Sequence, residues 1–292
     1  MYSSVAMGAI GVKTGSLAEE IALASVAGFA GVHFDIHELA DRIDAEGAAA
    51  VRSRFADANV VPAGWGLPTR WSGDVDDWRR LVAEMPRLAD AAATVGAHRA
   101  ATWIWSGSDE RSFDENRAFH VERLAPIAAA LAERGVSLGL EFLGPKTLRD
   151  RFRFPFITSS GEMLALCKDV GPNVGLLLDC WHWYTAHETA DDLRALRRDD
   201  VVVVHVNDAP AGVPIDEQLD NRRALPGTTG VIDIVTFLSV LAEIGYQGPV
   251  MAEPMQCGLD TLPTDEARLQ ATRSSLRAIF AHAGIVETIE QA

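Results

Sequence analysis

Short apolar runs alternate with longer amphipathic stretches along the whole chain, with a period of roughly 30 residues, the size of one strand–helix unit. The runs predict eight strands, over 5–12, 31–37, 60–65, 99–105, 137–141, 175–179, 201–205 and 249–253. Between them, apolar residues at helical spacing predict helices over 16–28, 45–58, 74–95, 114–134, 161–170, 189–198, 232–244 and 265–282. Ser16 with Glu19 three residues on reads as a capping box, and Gly28, Gly135 and Gly245 read as helix stops. Pro86 and Pro126 fall inside two helices and are expected to kink or split them.

Strands alternating with helices imply a parallel sheet. A count of eight, without linker or break in composition, predicts one α/β domain over residues 1–292, a single closed (β/α)8 TIM barrel. Two long irregular segments, 144–159 and 208–230, both follow strands. They belong to the C-terminal face, where such barrels place their chemistry.

Four successive strands end alike. Ser137-Leu138-Gly139-Leu140 leads to Glu141, Leu176-Leu177-Leu178 to Asp179, four valines (201–204) to His205, and Pro249-Val250-Met251-Ala252 to Glu253. A carboxylate at the exit of a buried strand is unfavourable unless something pairs with it. In a closed barrel the four side chains converge, and three carboxylates so close do not all stay ionised without a cation. The set therefore predicts one divalent metal, Mn2+ first, then Zn2+, Co2+ or Mg2+. The plainer alternative, polar residues that cap helices or pair with arginines, has to hold at all four ends at once.

A metal beside paired carboxylates suits proton transfer next to a carbonyl, through a metal-stabilised enediolate, with Glu141 and Glu253 as acid and base. That gives isomerisation or epimerisation. With a leaving group β to the carbanion the same residues give elimination, and a non-catalytic subunit that keeps the metal for structure is a further alternative.

The formal net charge of -15 repels phosphates, so a nonspecific nucleic-acid binder is excluded. The start of the sequence lacks a signal-peptide pattern, and no run approaches the roughly 18 apolar residues of a membrane span. The expectation is a cytoplasmic protein. Cys167, Cys180 and Cys257 form no CxxC pair and are expected to be packed thiols, Cys180 pointing from its strand into the packing.

Other candidates surround the four. Trp65, Trp103, Trp105, Trp181 and Trp183 lie near strand exits, where an aromatic wall such as Trp103 stacks on a sugar and excludes water; the alternative is core packing. Lys146, just after strand five, is a candidate for an anionic substrate. The alternating Arg151-Phe152-Arg153-Phe154 reads as an arm packing on another surface, a possible contact with a second copy or a partner subunit. His33 and Asp35 share one face of strand two, either reaching the barrel mouth or pairing with each other.

These motifs resemble the xylose isomerase-like barrel superfamily, the sugar phosphate isomerase/epimerase group, and within it the inosose (2-keto-myo-inositol) isomerases. The likeness covers nearly the whole chain. It rests on LGLEFLGP around Glu141, VGLLLDCWHW around Asp179 and His182, VHVND at His205, Arg223-Ala224-Leu225-Pro226-Gly227 leading to Gly230-Val231-Ile232-Asp233, and AEP at Glu253. The resemblance implies metal positions at Glu141, Asp179, His205 and Glu253, with the two glutamates as the acid/base pair. It also implies that His182 and Arg223 bind substrate, a small sugar or cyclitol. Two departures bear on the sugar contacts: Thr228-Thr229 lengthens the glycine-bounded segment, and His33 stands where many members carry glutamate. The multi-metal DNA-repair endonucleases of the same superfamily need more strand-end histidines than this chain supplies.

Overall fold

Each apolar run becomes one stave of a closed, all-parallel barrel. In the computed structural model, which describes residues 1–255 and 258–289, the strands are β1 (Tyr2–Ala6), β2 (Gly31–Phe34), β3 (Val61–Gly66), β4 (Arg99–Ile104), β5 (Ser137–Phe142), β6 (Val174–Asp179), β7 (Val201–Val206) and β8 (Pro249–Ala252). Each pairs with its sequence neighbour, and β8 closes on β1 with Tyr2 opposite Pro249. Helices cover the outside. Leu138, Leu140 and Phe142 of β5 are fully buried among the apolar residues packed there. The alternate residues, Gly139 and Glu141, therefore face the barrel interior.

Four element boundaries differ from the pattern. β1 stops at Ala6, because Met7 and Ile10 are buried three residues apart on a single 3-10 turn that Gly11 ends in the left-handed region. β2 stops at Phe34, because Asp35 caps a helix, Ile36–Glu46, by accepting the N–H groups of His37 and Glu38. The helix expected over 45–58 begins only after Gly47, as Ala48–Ala58. Only Ala190–Arg194 is α-helical within 189–198, and Arg198 opens a 3-10 turn, Arg198–Asp200. The prolines split nothing: Val75–Val95 and Phe113–Ala132 run unbroken through Pro86 and Pro126. Each proline removes one N–H from a long helix whose face is held by buried residues such as Leu81, Leu88, Leu124 and Leu131.

The arm at 151–154 folds back on its own chain. Phe154–Pro155 pairs antiparallel with Gly107–Ser108, and the Phe152 side chain lies so close to Gly107 that a Cβ there would sit 2.4 Å from the Phe152 Cβ. At the other end of the barrel, Ser3 donates its N–H and hydroxyl to Glu287, which also pairs with Arg273. Cys167 and Cys180 are buried and unpaired; Cys257 lies outside the described residues. Cys180 opens a short helix rather than ending a strand, its sulfur between the backbone N–H and C=O of Asn207. No helix of the described residues is long and apolar enough to cross a membrane.

Candidate active site

The strand ends deliver the four residues to one point. Glu141 lies near the end of β5, Asp179 ends β6, His205 lies opposite Asp179 on β7, and Glu253 follows β8, its N–H still bonded to Val206. One donor atom from each lies within 4.8 Å of the others. His205 Nδ1 is 3.5 Å from Glu253 and 4.0 Å from Glu141. Buried Glu141 Oε1 and His205 Nδ1 have no hydrogen-bond partner among the described residues. Two unpartnered polar atoms 4.0 Å apart in a nest of carboxylates are the pattern a cation would satisfy. The donor set, three carboxylates and one imidazole, fits a divalent ion.

The site is electrostatically divided. Burial, then the negative charges of Glu253 and Asp179, push the Glu141 carboxyl well above the usual range. Burial also disfavours the Glu253 carboxylate, but the adjoining His205 and Arg223 outweigh it and hold that carboxyl low.

Asp179 is fixed from three sides. It accepts the Trp181 N–H at 2.8 Å as the cap of the helix Cys180–Thr185, and both its oxygens accept from the Asn207 amide at 3.0 and 3.1 Å. Arg223 donates to its other flank at 2.8 Å. The same guanidinium donates to Glu253 at 2.9 Å and to Asp220, and is completely enclosed with its ring neighbour Trp181 beneath it. His182 rides on the capped helix. Its Nδ1 accepts from the Gly144 N–H at 3.2 Å, so Nε2 carries the proton, 3.8 Å from Glu141 and 3.9 Å from Asp220. Burial and Arg223 lower its pKa to about 4, leaving a neutral ring. Gly144 is required there: a Cβ would lie 2.3 Å from the His182 carbonyl oxygen.

The remaining candidates separate. His33 bonds Ser4 Oγ at 3.1 Å and is held neutral, at about 3, by burial and by His205 and Arg99. It does not pair with Asp35, which caps its helix instead. Trp65, Trp181 and Trp183 are core residues, whereas Trp103, opposite Glu141 in the ladder, is 40% exposed and meets Trp105 edge-on. Phe152 flanks Trp105. Lys146 pairs with Asp150 on a short helix, partly exposed. Arg223 also forms the salt bridge to Asp220 that was the plainer sequence reading for it, and two residues not assigned a role, Asn207 and Asp208 after β7, border the site. Two polar residues in line with a strand-end histidine were the available signal.

A closed (β/α)8 barrel with an acidic and imidazole cluster at the C-terminal strand ends defines the class of protein. The family model for the xylose isomerase-like TIM barrel matches residues 21–279, and the chain belongs to that family. An inosose isomerase of Halalkalibacterium halodurans is 29% identical over 164 residues, 56% of this chain. The chain spans only 55% of that relative's length, and 57% of a Bacillus subtilis inosose isomerase, 26% identical. A xylose isomerase domain protein from Alicyclobacillus acidocaldarius superposes with a TM-score of 0.85 at 31% identity, covering 97% of this chain and 99% of that one. The IOLI protein, solved with a zinc atom, has the same fold (TM-score 0.78, 18% identity, 96% and 98% covered).

Proposed function

We propose that the protein is a metal-dependent isomerase or epimerase of a keto-sugar or keto-inositol. The observation that carries this reading is the convergence of two glutamates, an aspartate and a histidine from four strand ends, with one donor atom of each within 4.8 Å of the others. A carboxylate on each side of a bound substrate can take a proton from one carbon and return one to the next. In this chain Glu253, beside His205 and Arg223, and Glu141, beside His182, are the two carboxylates placed to do so.

Glu141, Asp179, His205 and Glu253 would hold the divalent ion, Mn2+ by preference of a mostly oxygen donor set. When bound it supplies a Lewis acid that polarises a carbonyl. The neutral His182 donates its Nε2 proton to a substrate oxygen, and Arg223 fixes the orientation of Asp179 and Glu253. Trp103 offers a ring face to the C–H side of a sugar and displaces water. His33, whose ring couples electrostatically to His205 and Glu253, and the partly exposed Lys146 are further substrate contacts. The likeness to inosose isomerases supports a cyclitol ketone as substrate. Unpaired buried thiols suit a reducing compartment, the cytoplasm.

A second reading keeps the site and changes the outcome to elimination. A 3-dehydroshikimate dehydratase of Pseudomonas putida, 28% identical over 36% of this chain and 16% of its own length, favours it. NMR in D2O with Mn2+-loaded protein and a panel of keto-inositols, ketoses and 3-keto-glycosides separates the two. Deuterium entering the α-carbon with a new isomer supports the proposal. Loss of water or of an aglycone assigns a lyase, and no exchange on any panel member removes the isomerase reading.

A further inference from the structure

Asp208 sits outside the candidate metal cluster and forms no ion pair among the described residues, yet its carboxylate collects an unusual number of donors. Oδ2 accepts the backbone N–H groups of Thr229 and Gly230 at 3.0 and 2.8 Å, and Oδ1 those of Val231 and Ile232, both at 3.1 Å, together with that of Ala209 at 2.9 Å. Its backbone forms a two-way bridge with Ala224, N–H to C=O at 2.9 Å and C=O to N–H at 2.7 Å. One residue thus staples both ends of the segment 224–232 to the exit of β7. Ala224 directly follows Arg223, whose guanidinium reaches Asp179, Glu253 and Asp220.

We infer that Asp208 is a positioning residue that sets Arg223 over the site. An arginine at the tip of a long irregular segment has many rotamers and a mobile backbone to choose from. Here the backbone on its C-terminal side is fixed by a carboxylate rigidly mounted on the barrel. The neighbouring Asn207 does the same for Asp179, so one dipeptide after His205 orients a candidate ligand and anchors the arginine that faces it. The loop is shaped for this contact: Gly230 adopts a φ of +69°, which lets its N–H and that of Thr229 turn toward one oxygen. The inference rests on the proposed site for its catalytic consequence, but not for its structural one.

The test uses Asp208→Asn and Asp208→Ala in the full chain. Asparagine keeps the size and one acceptor but turns an N–H2 toward backbone donors. Three readouts are compared with wild type: hydrogen exchange of residues 219–232 against the barrel strands, the Arg223 Nε–H signal in a 15N spectrum (assigned by its loss in Arg223→Lys), and the KM and kcat of any substrate found active. Asp208 as a positioning residue predicts faster exchange confined to 219–232, loss or broadening of the Arg223 signal, and a loss of about 10- to 100-fold in kcat/KM. If Asp208→Ala does not fold, Gly230→Ala disturbs the same staple from the other side without touching Asp208, and the same three changes are expected in weaker form. Faster exchange with an unmoved Arg223 signal makes Asp208 a loop anchor only and overturns the inference, as does the absence of any change. Wild-type protein inactive on every substrate defeats the proposed function alone, because exchange and the arginine signal still report on Asp208.

Discussion

Arg223 and Asp179, 44 residues apart, form a buried ion pair at 2.8 Å with neither side chain more than 1% exposed. Such a pair is held by enclosure, and removing one partner strands the other charge. Arg223→Met should lower the stability of metal-free protein by about 3 kcal/mol. Saturating Mn2+ should raise the melting temperature of the variant more than that of wild type, since a cation relieves the unpaired carboxylates. Melting curves with EDTA and with Mn2+ check this, and equal metal-induced increments would contradict it.

The two glutamates are expected to be indispensable for different halves of one reaction. Glu141→Gln and Glu253→Gln should each abolish turnover while leaving the barrel folded. Solvent-deuterium exchange into the substrate distinguishes them: Glu253→Gln should stop exchange outright, since it removes the group held ionised. Near-normal turnover in either variant would end the acid/base assignment.

Asn207 tethers both oxygens of Asp179, and orienting partners of this kind govern ligand affinity. Asn207→Leu should weaken Mn2+ binding by about 10- to 100-fold, measured by calorimetry on EDTA-stripped protein. An unchanged affinity would mean that the Asp179 cap and Arg223 suffice.

His120 provides a pH test away from the site. It is buried, stacked on Phe156, and its pKa lies at about 4 because burial disfavours the charged ring. Its folded value lies below its unfolded value, so its contribution is complete above about pH 6.5 and declines as the pH falls towards 4. The full loss is about 3 kcal/mol as an upper limit. Urea titrations across that range should show a shallower decline for His120→Gln than for wild type. His33 and His182, also held neutral, leave a residual slope in the same direction. Identical slopes would show that His120 does not take part in acid unfolding.

The barrel and four of its site residues were legible because β5 to β8 are buried on both faces, so a charge at the end of a leucine or valine run stands out. The first two units were harder. Val5 to Val12 alternates small and apolar residues equally well as a strand or as a strand followed by one tight turn, and only packing of Met7 and Ile10 decides. Asp35 looked like a strand residue because its capping partners, the N–H groups of His37 and Glu38, carry no side-chain signal. Arg223 was found through a motif, but its bonds to Asp179 and Glu253 join positions far apart in sequence. Asn207 and Asp208 were visible only as part of VHVND and carried no role of their own, because a polar pair after a strand ordinarily begins a solvated loop.

The contact of Ser3 with Glu287 spans 284 residues. The first stave of the barrel is likewise sealed only by the last, Tyr2 lying opposite Pro249, and without β8 both β1 and β7 present unpaired edges. Such edges invite pairing with other chains. A polypeptide that stops before Pro249 would carry two open sheet margins and lack Glu253 altogether.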